Sequence, residues 1–129
     1  MEQKFLLDTN AIVDYFGGKL PASSMKRIKL ILDESFNISV VAKIETLGFN
    51  GSPGDMQKLE ALIQLADLLY IDDAVVQETI NLRKSIPKLK LGDAIIAATA
   101  LVHNLTLLSR NLNDFKNITG LEIIDPHAL

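Results

Sequence analysis

The chain contains no cysteine and no tryptophan among its 129 residues. The missing thiol excludes disulfide staples, thiolate metal sites and a cysteine nucleophile in one step. Aromatics are scarce, with five Phe and two Tyr, so Leu, Ile, Val and Ala must supply most of the packing. Histidine occurs only as His103 and His127, far apart in sequence, which gives no basis for a Ser–His–Asp arrangement. No apolar run reaches the roughly 18 residues that a membrane helix needs. The N-terminal Met-Glu-Gln-Lys passes straight into a strand-like stretch without the charged and apolar regions of a signal peptide. These absences point to a soluble cytoplasmic protein with no membrane partner. The net charge of -3 offers no general attraction to nucleic acid. Its local distribution is less even. Basic residues gather at Lys26-Arg27-Lys29 and at Arg83-Lys84 with Lys88 and Lys90, as solvated helix faces or as a rim for phosphates.

What is present is a hydrophobic share of 48%, enough for one real core. A chain of this length buries roughly two-thirds of the surface that it exposes when unfolded. Residues 1–129 are therefore expected to form one domain. Strand-like runs at Lys4–Leu7, Phe36–Ile38, Leu68–Ile71, Leu105–Leu108 and Leu121–Ile124 alternate with helical segments. The helices are bounded by recognisable punctuation. Thr9 or Asn10 is placed to cap the first, and Gly17-Gly18 ends it. Pro21 opens Ala22–Glu34, with Ile28, Leu30, Ile31 and Leu32 inward. Ser39 caps Val40–Phe49. Gly51-Ser52-Pro53-Gly54 reads as a loop before Met56–Ala66, and Asp72-Asp73 as the cap of Ala74–Ile86. Gly92-Asp93 begins a helix to about His103, a residue suited to its C-terminal end. Strands separated by helices pair in parallel through right-handed crossovers, so the fold class is an α/β three-layer sandwich.

Four acids stand beside these apolar runs: Asp8, Glu45, Asp93 and Asp114. Each has an ordinary explanation alone. Asp8 would serve as a cap or turn residue, Asp114 as a turn residue, and Asp93 would satisfy free N–H groups at a helix start. At 100° per residue, Glu45 lies at the border of the apolar face made by Val40, Val41, Ile44, Leu47 and Gly48. Together they suggest something else. In parallel α/β sheets the site lies beyond the carboxyl ends of the strands, where strand order reverses. Asp8 follows strand one, Asn111 and Asp114 follow strand four, and Asp93 opens the helix feeding strand four. Clustered carboxylates repel one another unless a cation sits among them. Hard oxygen donors select Mg²⁺ or Mn²⁺, with Asn10, Thr9 and Ser109 positioned to hold waters or phosphate oxygens. Asp14 and Asp33 read as solvent-facing, and His127 as part of a solvated tail.

The blocks Leu6-Leu7-Asp8-Thr9-Asn10, Ile44-Glu45-Thr46-Leu47, Gly92-Asp93-Ala94-Ile95-Ile96-Ala97-Ala98-Thr99-Ala100 and Leu105-Thr106-Leu107-Leu108-Ser109-Arg110-Asn111 with Asp114-Phe115 resemble the PIN-domain nucleases. Within them they are most similar to the VapC-type toxins of toxin–antitoxin pairs, and the likeness spans nearly the whole chain. The resemblance implies a five-stranded parallel sheet of order 3-2-1-4-5 and a Mg²⁺- or Mn²⁺-dependent ribonuclease. It also implies a cognate antitoxin that blocks the site, and a homodimer. By position, Asp8, Glu45 and Asp93 match the metal-binding acids, and Asp114 and Asn111 complete the set. Many family members carry an acid where this chain has Asn111. A silent PIN-fold binding module is the main alternative. A receiver domain fits less well, since strand one ends in a single Asp8 and Asp125-Pro126 follow strand five where a Lys is wanted. A haloacid-type phosphatase would need a second acid in Asp8-Thr9-Asn10.

Overall fold

A central sheet of five short parallel strands carries helices on both faces in the computed structural model, which describes residues 3–129. The elements in chain order are β1 (Phe5–Leu7), α1 (Thr9–Phe16), α2 (Ala22–Glu34), β2 (Asn37–Ser39), α3 (Val40–Leu47), α4 (Pro53–Gln64) and β3 (Asp67–Leu69). Then come α5 (Asp73–Ser85), α6 (Leu91–Val102), β4 (Thr106–Leu108), α7 (Leu112–Phe115), β5 (Ile123–Ile124) and a single 3₁₀ turn, Pro126–Ala128. Spatial order across the sheet is β3-β2-β1-β4-β5, as the family resemblance implied. Leu6 pairs with Leu107, and Leu7 with Leu108, placing β1 and β4 side by side. The order therefore reverses between β1 and β4. A receiver-type sheet would run 2-1-3-4-5 instead.

The two central strands show why these residues make a sheet. Successive side chains point to opposite faces, so a strand covered on both sides must be apolar throughout. Leu6 and Leu107 enter one core with Val75, Leu82, Ile96, Ala97 and Phe115, beneath α5, α6 and α7. Leu7 and Leu108 enter the other with Ile12, Ile28, Ile38, Leu59 and Ile63, beneath α1, α2 and α4. The alanines of α6 (Ala94, Ala97, Ala98 and Ala100) are wholly buried, which lets that helix lie close to its neighbours.

Several local expectations need correction. The Ser52-Pro53-Gly54 stretch is not all loop. Ser52 accepts a hydrogen bond from the Asp55 N–H (3.3 Å) and Pro53 is the first residue of α4, where a missing N–H costs nothing. Neither Thr9 nor Asn10 caps α1; Asp8 does so, accepting from the Thr9 N–H. Leu30 is not on the inner side of α2, being 65% exposed, and the buried positions are Ser24 and Ile28. In α3 the buried residues are Ala42 and Thr46, while Ile44 is 65% exposed. There α1 and α6 close on α3, and the small Ala42 permits an approach that the bulkier apolar residues would block. Asp72 caps α5 through the Val75 N–H (2.9 Å), as expected. His103 ends α6, followed by Asn104 in the left-handed conformation (φ 55°), which Asn tolerates.

Leu107, fully buried in β4, is the natural probe of the core. Leu107→Ala should destabilise the protein by about 3 kcal/mol, through lost burial and an unfilled cavity. Urea unfolding checks this, and a loss below about 1 kcal/mol would show that the core closes around the gap.

Candidate functional site

The site forms where β1 and β4 part. Asp8 is the first residue beyond β1, and its N–H still donates to the Leu108 carbonyl (3.0 Å), so it remains fastened to the sheet. Its side chain is buried. Oδ1 accepts from the Thr9 N–H (2.8 Å), and Oδ2 accepts from the Ser109 hydroxyl (2.8 Å) and the Asn10 amide (3.3 Å). Ser109, wholly buried at the end of β4, also accepts from Asn10 Nδ2 (3.2 Å) and from the Asn111 N–H (3.0 Å). Asn10 returns the connection by accepting from the Arg110 N–H (3.1 Å). Thus Asn10 and Ser109 both serve to orient Asp8.

The other three acids arrive on separate elements. Glu45 lies in the second half of α3 and accepts from the Thr9 hydroxyl (2.8 Å). Asp93 is in the first turn of α6 and is half-buried. Lys90, not Asp93, occupies the cap position, and Asp93 makes no capping hydrogen bond. Asp114 lies in α7, where the Asn111 amide donates to its Oδ2 (2.7 Å). An acid at position 111 would repel Asp114; the amide attracts and aims it.

Electrostatics tie the four together. Burial pushes the Asp8 carboxyl above the usual carboxylate range, and neighbouring Glu45 adds to this, while the Ser109 and Thr9 hydrogen bonds oppose it. Asp93 is raised as well, first by burial and then by Asp8, Asp114 and Glu45, with Lys90 opposing. None of the four forms an ion pair among the described residues. Nor do any three His, Asp or Glu side chains among the described residues stand close enough to ligate one ion directly. The donor set, oxygen throughout, suits a hard cation that keeps several of its own waters between itself and part of the ring. Oxygen donors of this kind are the type that Mg²⁺ and Mn²⁺ take.

A groove of about 210 Å³ runs from Asp93 and Asp114 past Lys88, Lys90, Asn113 and Asn117. One basic cluster thus reaches the acids. Lys26, Arg27 and Lys29 do not: they are exposed on α2, and Lys29 pairs with Asp33 (3.2 Å).

The PIN domain family profile matches residues 5–121. This chain belongs to the PIN domain family. A curated relative, ribonuclease VapC1 of Methanocaldococcus jannaschii, is 25% identical over 96% of this chain and 89% of its own. A toxin-antitoxin complex from Klebsiella pneumoniae contains a chain of the same fold, with TM-score 0.75 and 28% identity, covering 95% of this chain and 98% of that one. DNA-bound VapBC from Salmonella typhimurium gives TM-score 0.84 at 24% identity, covering 97% and 99%.

Three features of this PIN domain escaped the reading of its sequence. Asp14 does not face solvent: at 1% exposure it accepts from Arg110 Nη1 (3.2 and 3.3 Å) and meets His127 Nε2 at 2.9 Å. His127 is accordingly half-buried rather than part of a free tail. Asp14, on the polar edge of a short helix, gives no local sign of partners so distant along the chain. Thr46 is 1% exposed, and its hydroxyl has no hydrogen-bond partner among the described residues. The signal there was the helical phase of Ala42, four residues earlier, rather than the more apolar face.

Two outcomes follow for the metal-free protein. Thr46→Val removes an unsatisfied buried hydroxyl at constant shape and should raise stability by about 1 kcal/mol in chemical unfolding; a loss of similar size would reveal a hidden partner for the hydroxyl. The raised Asp8 and Asp93 groups hold a proton more firmly in the folded state than in the unfolded chain. Their contribution therefore turns unfavourable as pH rises from about 4 through the raised values. In EDTA at pH 7, Asp93→Asn should melt above the wild type, with the gap closing towards pH 4. An unchanged or lower midpoint at pH 7 would contradict the crowding of charge described here.

Proposed function

We propose that this chain is a VapC-type toxin, an endoribonuclease dependent on Mg²⁺ or Mn²⁺. What supports the reading is that Glu45 lies near enough to raise Asp8, and Asp8, Asp114 and Glu45 near enough to raise Asp93, beside the β1/β4 switch point of a PIN domain, with no ion pair to any of the four among the described residues. The ribonuclease name of the archaeal relative supports the reaction class. Asp8, Glu45, Asp93 and Asp114 would hold the ion, in part through its own waters, and the Asn111 side-chain carbonyl would be available beside them. The cation, when bound, lowers the pKa of a water and offsets the charge that develops on the phosphodiester.

The chain's own residues do the rest. Ser109, Asn10 and the Thr9 N–H fix both Asp8 oxygens, so the acid does not reorganise when substrate arrives. The Thr9 hydroxyl orients Glu45, and the Asn111 amide orients Asp114. Lys88 and Lys90 line the groove leading away from the acids and draw in the RNA backbone.

The partner we infer is a cognate antitoxin that blocks the site. An apolar groove of about 270 Å³ starts at Thr9 and Glu45 and continues over Val13, Phe16, Phe49 and Met56. A peptide seated there would adjoin the acids. The protein is further proposed to act as a homodimer, in keeping with exposed apolar residues such as Tyr70, Ile71, Val76 and Ile80.

The test is cleavage of a structured RNA by the purified protein with Mn²⁺, with EDTA, and with Asp93→Asn in parallel. Cutting should require the metal, and the variant should lose about 100-fold or more in rate while keeping its circular dichroism spectrum. Cutting in EDTA, or wild-type rates from Asp93→Asn, would overturn the site. Cation binding without cutting of any RNA would leave a PIN-fold binding module.

A further inference from the structure

Arg110 follows Ser109 directly and is held at both ends. Its backbone N–H is bound by Asn10, the residue that also contacts Asp8, and its Nη1 is bound by both oxygens of Asp14. The Asp14 side chain is only 2% exposed, and the His127 ring holds it from another side. The guanidinium uses only this one nitrogen. Nε and Nη2 have no hydrogen-bond partner among the described residues, and the side chain is 56% exposed. A surface arginine ordinarily gains little from one carboxylate, because ordering a long side chain offsets the attraction. Here a buried, doubly partnered acid fixes the guanidinium, so one edge of its donor fork is presented to solvent in a set orientation. That edge matches two oxygens of a phosphate.

We propose that Arg110 is a phosphate-gripping residue of this PIN domain, engaging the RNA backbone next to the scissile bond, with Asp14 as its buried anchor. The proposal rests on the nuclease reading and extends it. The Lys88–Lys90 groove leaves the acids on the α6 and α7 side, whereas Arg110 stands on the α1 side. The backbone is then held on both sides of the acidic centre, and a strand repelled by four carboxylates is drawn across them. Arg110 takes no part in the bond-breaking step; it sets where the strand lies.

The experiment uses the full chain carrying Asp93→Asn, so that RNA is bound and not cut, with polyuridylate as the probe and Mg²⁺ held constant. Retention is measured across a salt series. Arg110→Gln should weaken retention roughly tenfold at about 50 mM salt and lower the slope of log affinity against log salt by about 0.7, the value for one phosphate contact on a single strand. Arg110→Lys should keep the slope and lose only part of the affinity. Since Arg110→Gln strips a buried carboxylate of one partner, the pair Asp14→Asn with Arg110→Gln is measured beside it; that pair leaves no buried charge stranded. A purely structural Arg110 would leave the salt slope of the folded double variant unchanged and its affinity within about twofold of the background, and that result overturns the assignment alone. If the background protein itself retains no polyuridylate at any salt, the nuclease reading fails and the phosphate grip falls with it.

Discussion

The hydroxyl of Ser109 donating to the Asp8 carboxylate joins two strands at the one point where the sheet changes direction. Around that bond the remaining contacts fall into place. Asn10 and Thr9 hold Asp8 because α1 starts immediately beyond it, and Thr9 in turn reaches Glu45 on α3. Arg110 and Asn111 are positioned because they leave β4 directly after Ser109. Both cores contribute by keeping β1 and β4 in register, with Leu6 against Leu107 and Leu7 against Leu108. Misplacing this register by one residue would exchange the two faces and turn Asp8 away from the edge.

The arrangement sets stability against readiness. Four like charges brought near one another, two of them raised by burial, make the fold less stable than a neutral version would be. The compensation is distributed: neutral donors satisfy the acids without cancelling them. Ser109, Asn10 and the Thr9 N–H serve Asp8, the Thr9 hydroxyl serves Glu45, and the Asn111 amide serves Asp114. Hydrogen bonds from neutral groups hold an acid in place yet leave its charge available, which an ion pair would not. Asp14 shows the contrast within one chain, since it is paired with Arg110 and His127 and lies outside the acidic centre.

Much of this was readable before any coordinates. The strand and helix alternation followed from short apolar runs and their punctuation, and the four acids stood out as candidates because each abuts such a run. Boundaries slipped where capping chemistry decided them, as at Ser52-Pro53, where a turn-like dipeptide begins a helix. Faces were misjudged where hydrophobicity and burial diverge: Ile44 is apolar and exposed, whereas Ala42 and Thr46 are buried on the side of α3 that meets its neighbours. Asp14, Arg110 and His127 could not be paired by inspection. Their partners lie 96 and 113 positions away, and no local periodicity encodes such a meeting.

Those separations bear on how the chain acquires its acidic centre. Asp8 and Ser109 are 101 positions apart, and Asp14 and His127 are 113 apart. Contacts of this span come late, because the entropy of closing a long loop opposes them until intervening structure has formed. A growing or partly folded chain can have α1 and β2 in place and still possess no acidic centre, since β4 has yet to slot beside β1. The site therefore requires β4 to stand beside β1, and a chain without that pairing carries Asp8 and Ser109 apart.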